Sequence, residues 1–225
     1  LHRLFVRAPP SPLSSLRPVV VEPLLAYQGV GAPVETSALL PDVVRAPYVL
    51  VLGTIEPRKN ISFACEVFEQ FAEEYEEPHL VVVGGTGWKA EASLNALSAL
   101  QDRLPGRVHH LGYINDAEKW SLIEEAGALL ITSHAEGFGR PVLEAMSVDT
   151  PVIAPAHSAL EEIATDAAIM VPPADTQKTA RALWRALYHD ILKERLIPLG
   201  RKRAEQFTVC GMVDAVLGHI QNDAS

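Results

Sequence analysis

Cysteine is scarce: Cys65 and Cys210 are the only two, 145 positions apart, and neither sits in a metal-type spacing. This scarcity excludes a disulfide framework and points to a reducing, cytoplasmic setting. No stretch reaches the roughly 18 consecutive apolar residues that a membrane-spanning helix needs. The opening Leu1-His2-Arg3 does not start the charged, apolar, small-residue order of a signal peptide. Cations are the minority charge, with 19 Lys and Arg against 28 Asp and Glu and a formal net charge of −9. A nucleic-acid partner demands clustered cations and is excluded, whereas a phosphorylated small molecule needs only a few well-placed ones. The eight histidines include the pair His109-His110 and the lone His134, but no His-x3-His or mixed His/Cys ligand set. There is no G-x-S-x-G nucleophile elbow, no Asp-x-Asp motif and no repeat with a period of about 20–50 residues.

What is present is a core-forming composition, 48% hydrophobic over 225 residues. Proline is concentrated at the start, where the first 47 residues hold eight of the 17. Residues 1–47 therefore read as a linker or extension with at most a short strand. From Tyr48 the texture changes to short apolar runs alternating with segments of helical period. The expected strands are Tyr48–Leu52, Leu80–Val83, Val108–Leu111, Ala128–Ile131, Pro151–Ala154 and Ile169–Val171, apolar enough for burial on both faces. His110 falls inside one of them and reads as structural. Apolar spacing predicts a helix from Ile61 to Tyr75 with Asn60 as its N-cap. Further helices are expected over Ala90–Leu100, Ala117–Ala126, Pro141–Val148, Thr176–Tyr188 and Val213–Gln221. The fold class is α/β, a doubly wound, mostly parallel Rossmann-like sheet of about six strands over residues 48–207, with a C-terminal helix in 208–225. Ligands of such sheets bind beyond the carboxyl ends of the strands.

Three strand-end loops could carry chemistry. Gly53-Thr54-Ile55-Glu56-Pro57-Arg58-Lys59-Asn60 puts two adjacent cations before a helix N-terminus, a setting that suits a diphosphate. Gly84-Gly85-Thr86-Gly87-Trp88-Lys89-Ala90 satisfies G-x-G-x-x-A over residues 85–90. It lacks the ribose-holding acid about 20 residues on that a dinucleotide site requires. A tight turn lining a pocket accounts for its glycines. The third loop is Ser133-His134-Ala135-Glu136-Gly137-Phe138-Gly139-Arg140-Pro141-Val142-Leu143-Glu144. Gly137 and Gly139 permit close backbone approach, and Pro141 suits the first position of a helix. Glu144 is then expected in the first helical turn, placed to accept hydrogen bonds from a ribose diol. Glu136, eight residues earlier, can meet the hydroxyls of a second sugar. His134 stands either on the pocket wall or simply in the loop.

Together with Leu111-Gly112-Tyr113-Ile114, Thr150-Pro151-Val152-Ile153 and Glu162-Ile163…Asp166-Ala167-Ala168, these loops resemble glycosyltransferase family 4 from about Tyr48 to Phe207. The resemblance implies the donor-binding C-terminal lobe of a two-lobed GT-B enzyme that works with retention and needs neither a metal nor another cofactor. It implies that Arg58 and Lys59 hold the donor's diphosphate and that Glu144 holds the ribose. Glu136 and the backbone of Gly137, Phe138 and Gly139 would face the donor sugar and its leaving phosphate. Tyr113 and Ile114 would flank the base, with Gly53, Thr54, Gly85, Val142 and Leu143 completing the donor site. The first loop is similar to those of mannosyltransferases of bacterial polysaccharide assembly, which implies GDP-mannose as donor and a saccharide or lipid-linked acceptor.

The chain departs from the family at Val148-Asp149, where a glycine-ended pair is usual, and at Arg140, where a small or aliphatic residue is usual. Asp tolerates left-handed backbone, and Arg140 can reach a phosphate or an acceptor. The family's N-terminal lobe, with its acceptor site and a catalytic His, does not fit into residues 1–47. The C-terminal helix would in such enzymes cross toward that lobe, and an exposed apolar face on it would favour a homodimer. The full-length enzyme would be cytoplasmic and peripheral at the inner face of the membrane. Two alternatives stand beside the transferase: a non-catalytic sugar-nucleotide-binding or regulatory module, and a GT-B epimerase or phosphorylase.

Overall fold

Residues 47–156 and 158–207 are described by the structure, a computed structural model. Six strands form one parallel sheet: β1 (Tyr48–Leu52), β2 (His79–Val83), β3 (Val108–Gly112), β4 (Ala128–Leu130), β5 (Val152–Pro155) and β6 (Ile169–Val171). Their order is β3-β2-β1-β4-β5-β6, with every pairing parallel. The helices are α1 (Ile61–Ala72), α2 (Glu91–Arg103), α3 (Asp116–Glu125), α4 (Arg140–Ser147), α5 (Ser158–Ala164), α6 (Thr176–Tyr188) and α7 (Asp190–Glu205).

The near-continuous apolar runs have a simple cause. Successive strand side chains point to opposite faces, and both faces are covered. Val49 and Val51 of β1 pack with α1, α2 and α6, while Tyr48, Leu50 and Leu52 pack with α3, α4 and α5. Phe68 and Phe71 anchor the first layer, and burial of such side chains contributes roughly 1.5–3 kcal/mol each. Tyr48 places its hydroxyl on the Leu122 carbonyl at 2.7 Å, so the one polar atom it carries inward is satisfied.

All six expected strands form, with ends moved by a residue at most. Residues 1–46 of the expected extension 1–47 and the helix expected at Val213–Gln221 lie outside the described residues. Asn60 does not cap α1 with its side chain. It stands in the left-handed region (φ 51°, ψ 47°), because it closes the 3-10 turn Pro57–Lys59 by donating its N–H to the Pro57 carbonyl. The expected α1 stops at Ala72, three residues before Tyr75, whose ring stacks on Phe71 from beyond the helix. Asp149 takes the left-handed turn after α4 (φ 66°) and pairs with Arg201. Two helices were not expected from the sequence: α5, and α7, which carries Pro198 inside it.

Candidate functional site

In this strand order the chain winds outward in both directions from β1 and β4, so the crevice between them is the topological switch point where such sheets bind ligands. The loops leaving these two strands meet there. Thr132 donates its hydroxyl to the Lys59 carbonyl at 2.8 Å, and the His134 N–H donates to the Arg58 carbonyl at 2.8 Å. These bonds align the cationic turn with the glutamate of the other loop.

Glu136 is the centre of the arrangement. Lys59 Nζ donates to its Oε1 at 2.6 Å, Ser133 Oγ donates to the same oxygen at 2.6 Å, and Arg58 Nη1 reaches Oε2 at 3.1 Å. Arg58 also donates Nη2 and Nε to Glu56 Oε1, at 2.6 and 3.0 Å. Burial alone would raise the Glu136 carboxyl. The hydrogen bonds from Lys59 and Ser133 and the charges of Lys59 and Arg58 outweigh it and hold the group below the usual carboxylate range.

The glycines of the first two loops serve this turn. A Cβ on Gly53 would stand 2.7 Å from Lys59 Cε, and its φ of 139° disfavours any other residue. The lysine stem therefore lies directly across Gly53. A Cβ on Gly84 would come within 1.9 Å of the Gly53 carbonyl oxygen, so the loops after β1 and β2 touch backbone to backbone. The bonds from Gly53 N to Val83 O and from Ile55 N to Gly85 O, both 2.9 Å, extend that contact. Thr54 is exposed above it, with its methyl group against Gly87.

The second carboxylate sits differently from expectation. Glu144 is the fifth residue of α4, in the second turn, because α4 begins at Arg140 and Pro141 is its second residue. The left-handed φ of 81° at Gly139 starts the helix one residue earlier than the proline suggests. Glu144 is thus beyond the free N–H groups of the first turn, and its nearby positive charge is a side chain. Lys119 Nζ lies 3.2 Å from its Oε1, and Arg140 Nη2 lies 3.9 Å from the same oxygen. Arg140 is therefore directed at the buried carboxylate of its own helix. Lys119 belongs to the first turn of α3, fixed by a capping box in which Asn115 Oδ1 accepts from the Glu118 N–H and Glu118 Oε2 from the Asn115 N–H.

Tyr113, just before that box, is 87% exposed, while Ile114 packs against the core. Val142 and Leu143 were expected in the donor site, but both residues are 0% exposed and belong to the core at the start of α4. Phe138 packs edge-on against Phe207, and Gly137 has open space where a side chain would begin. Among the described residues, a Cβ on Gly85 would meet only Tyr113 Cβ, at 3.9 Å. His134 is exposed beside Ser133 on a small pocket of about 50 Å³ shared with Asn60 and Pro172. His110 lies within β3 as expected, its Nε2 3.2 Å from the Gly84 carbonyl oxygen.

Ser133, Thr132 and Lys119 were not singled out as functional residues by the sequence. Ser133 precedes Glu136 by three positions in the same loop, a local signal; Lys119 is 25 positions from Glu144 and gives none. Among the described residues no three His, Cys, Asp or Glu groups gather as a metal site, and no helix is long and apolar enough to cross a membrane. The buried Cys65 thiol is pushed up to about 12, chiefly by burial, and is not a nucleophile. A larger cleft, about 370 Å³, lies between α1 and α6 against Phe71, Tyr75 and Trp184, and none of its lining comes from the strand-end loops.

Comparison with known proteins bears on the family and the fold. Residues 41–203 match the family model of glycosyl transferases group 1. An O-antigen chain mannosyltransferase B of Escherichia coli is 30% identical over 162 residues, which cover 72% of this chain and 42% of that protein. A sucrose-phosphate synthase of Thermosynechococcus elongatus superposes with a TM-score of 0.65 at 26% identity, covering 80% of this chain and 46% of the other. The chain thus spans less than half the length of either. The C-terminal domain of a glycosyl transferase group 1 family protein from Francisella tularensis shares the fold, with a TM-score of 0.63 at 22% identity over 72% of this chain and 87% of that one. The sheet and the family match agree: this chain belongs to the glycosyl transferases group 1 family and has the Rossmann-like fold found in GT-B glycosyltransferases.

Proposed function

We propose that the chain is the donor-binding part of a retaining glycosyltransferase that takes a hexose, in our reading mannose, from a nucleoside-diphosphate sugar to a saccharide or lipid-linked acceptor. The observation that carries this reading is the meeting of Lys59, Arg58 and Glu136 at the switch point between β1 and β4. Lys59 and Arg58 bind the diphosphate, Glu144 the ribose hydroxyls, and Glu136 the hydroxyls of the donor sugar.

In the reaction the bond between the anomeric carbon and the diphosphate oxygen breaks, the acceptor hydroxyl oxygen forms the new bond to that carbon, and its proton goes to the departing diphosphate. Charge accumulates on the departing diphosphate. Once on the diphosphate, the cations of the 57–59 turn offset that charge, which is how positively charged groups lower a barrier without a metal. Gly137 and Gly139 bring backbone N–H groups close to the same oxygens, ahead of α4. The name of the Escherichia coli mannosyltransferase supports mannose, and with it GDP as the carrier.

A thermal-shift screen of nucleoside diphosphates and their sugars tests the reading. A ligand that prefers the native state raises the melting temperature, and at a concentration about 100 times its Kd the gain is about 2.7 kcal/mol. GDP and GDP-mannose are expected to give the largest shifts. No shift from any nucleoside diphosphate contradicts the assignment.

A further inference from the structure

The cationic turn has no surplus charge. Arg58 and Lys59 are bound by two carboxylates, Glu56 and Glu136, so the four-residue cluster is formally neutral. Glu136 and Lys59 are also nearly enclosed, with side chains 8% and 10% exposed. The Lys59 stem is held against Gly53, which limits where its ammonium can go. A diphosphate arriving here brings at least two further negative charges to a cluster already balanced, and like charges at such distances repel strongly.

We propose that Glu136 is an internal competitor of the donor: the diphosphate and the Glu136 carboxylate contend for the same two cations, and donor binding moves Lys59 and Arg58 from one to the other. This rests on the reading of the 57–59 turn as the diphosphate site. The exchange has a directional consequence. Ser133 lies in the same loop as Glu136 and remains bonded to Oε1 when the cations leave, so the carboxylate is released without being lost from the site. Its acceptor capacity for sugar hydroxyls rises when a diphosphate has taken its place on Lys59 and Arg58. The site thereby couples recognition of the phosphate end of the donor to recognition of the sugar end. Glu56, which holds the more exposed Arg58, is a weaker competitor by the same logic.

The sign of one mutation separates competition from simple support. Calorimetric titration with GDP and UDP, in chelator and at low salt, compares the full chain with Glu136→Gln, Glu56→Gln and Lys59→Met. Glu136→Gln is expected to bind the bare nucleoside diphosphate about tenfold more tightly, the scale of one charge-assisted hydrogen bond. Its advantage for the sugar nucleotide over the bare diphosphate is expected to fall. Glu56→Gln is expected to tighten binding by a smaller factor, and Lys59→Met to weaken it at least tenfold. If Glu136→Gln does not fold to a cooperative melt, Glu56→Gln carries the test. Equal or weaker binding by the Gln variants, with Lys59→Met still weakened, overturns the competition and leaves the diphosphate site standing. Failure of the unmutated chain to bind either nucleotide overturns the functional reading and the competition with it.

Discussion

Gly53 and Gly137 look alike in the sequence, each a glycine beside a charged loop, yet they do different work. At Gly53 a methyl group meets the Lys59 stem at 2.7 Å on a backbone of φ 139°. Gly53→Ala is therefore expected to cost about 1–3 kcal/mol and to displace Lys59, so both the melting temperature and the affinity for a nucleoside diphosphate fall. Gly137 has nothing within 4 Å of such a group, and Gly137→Ala is expected to melt within about 0.5 kcal/mol of the parent. Equal melting temperatures for the two variants contradict this account of the lysine stem.

The Glu136 carboxyl adds a pH signature at the same scale. It is held below its ordinary value by its cationic and hydroxyl partners against the effect of burial. A depressed folded pKa means that unfolding takes up a proton, so the stabilisation is complete above the unfolded value of about 4.3 and is lost as the pH falls through the folded value. Glu136→Gln is expected to be less stable than the parent at pH 7. The gap should narrow below about pH 4 in urea titrations. A gap independent of pH shows that the carboxylate charge is not what the cluster uses.

Elements differ in how far they could be read in advance. The strands were legible because burial on both faces leaves apolar runs with no polar interruption, as in Leu80-Val81-Val82-Val83. Amphipathic helices such as α6 were legible for the same reason on one face, and its expected ends, Thr176 and Tyr188, are its ends in the fold. Helix α7 was not, because Pro198 reads as a break and only three of its residues, Leu196, Gly200 and Ala204, are buried. The start of α4 was misplaced by one residue because Gly139, not Pro141, sets it, and that moved Glu144 out of the first turn. The capping box of α3 carries a further consequence, since it anchors the segment between the exposed Tyr113 and Lys119. Asn115→Ala is expected to cost about 1 kcal/mol and to weaken nucleotide binding through Lys119 and Glu144. Circular dichroism melts and a GDP titration of the variant check both parts, and an unchanged affinity detaches α3 from the site.

On the scale of the molecule, the sequence places Arg58 and Lys59 on one loop and Glu136 on another. It contains no local sign that the two touch across 77 positions. The contact follows from the sheet order, which makes β1 and β4 neighbours and brings the ends of both strands to one crevice. The pairing of Glu144 with Lys119 is likewise a tertiary event between α4 and α3. In the proposed site, charge on the donor would be met by side chains and backbone, so binding of GDP is expected to be nearly the same in chelator as in magnesium. A loss of affinity on chelation would show that carboxylates of the chain hold a cation.

The central claim is that these strand ends form a nucleoside-diphosphate site with Glu144 on the ribose, and calorimetric titration of GDP into the chain and its Glu144→Ala variant tests it most directly. Hydrogen bonds to a charged group are worth roughly 1.5–3 kcal/mol, so the variant is expected to bind on the order of 10- to 100-fold more weakly while keeping a cooperative melt. Equal affinity in a folded variant contradicts the ribose assignment and, with it, the placement of the donor along β1, β3 and β4.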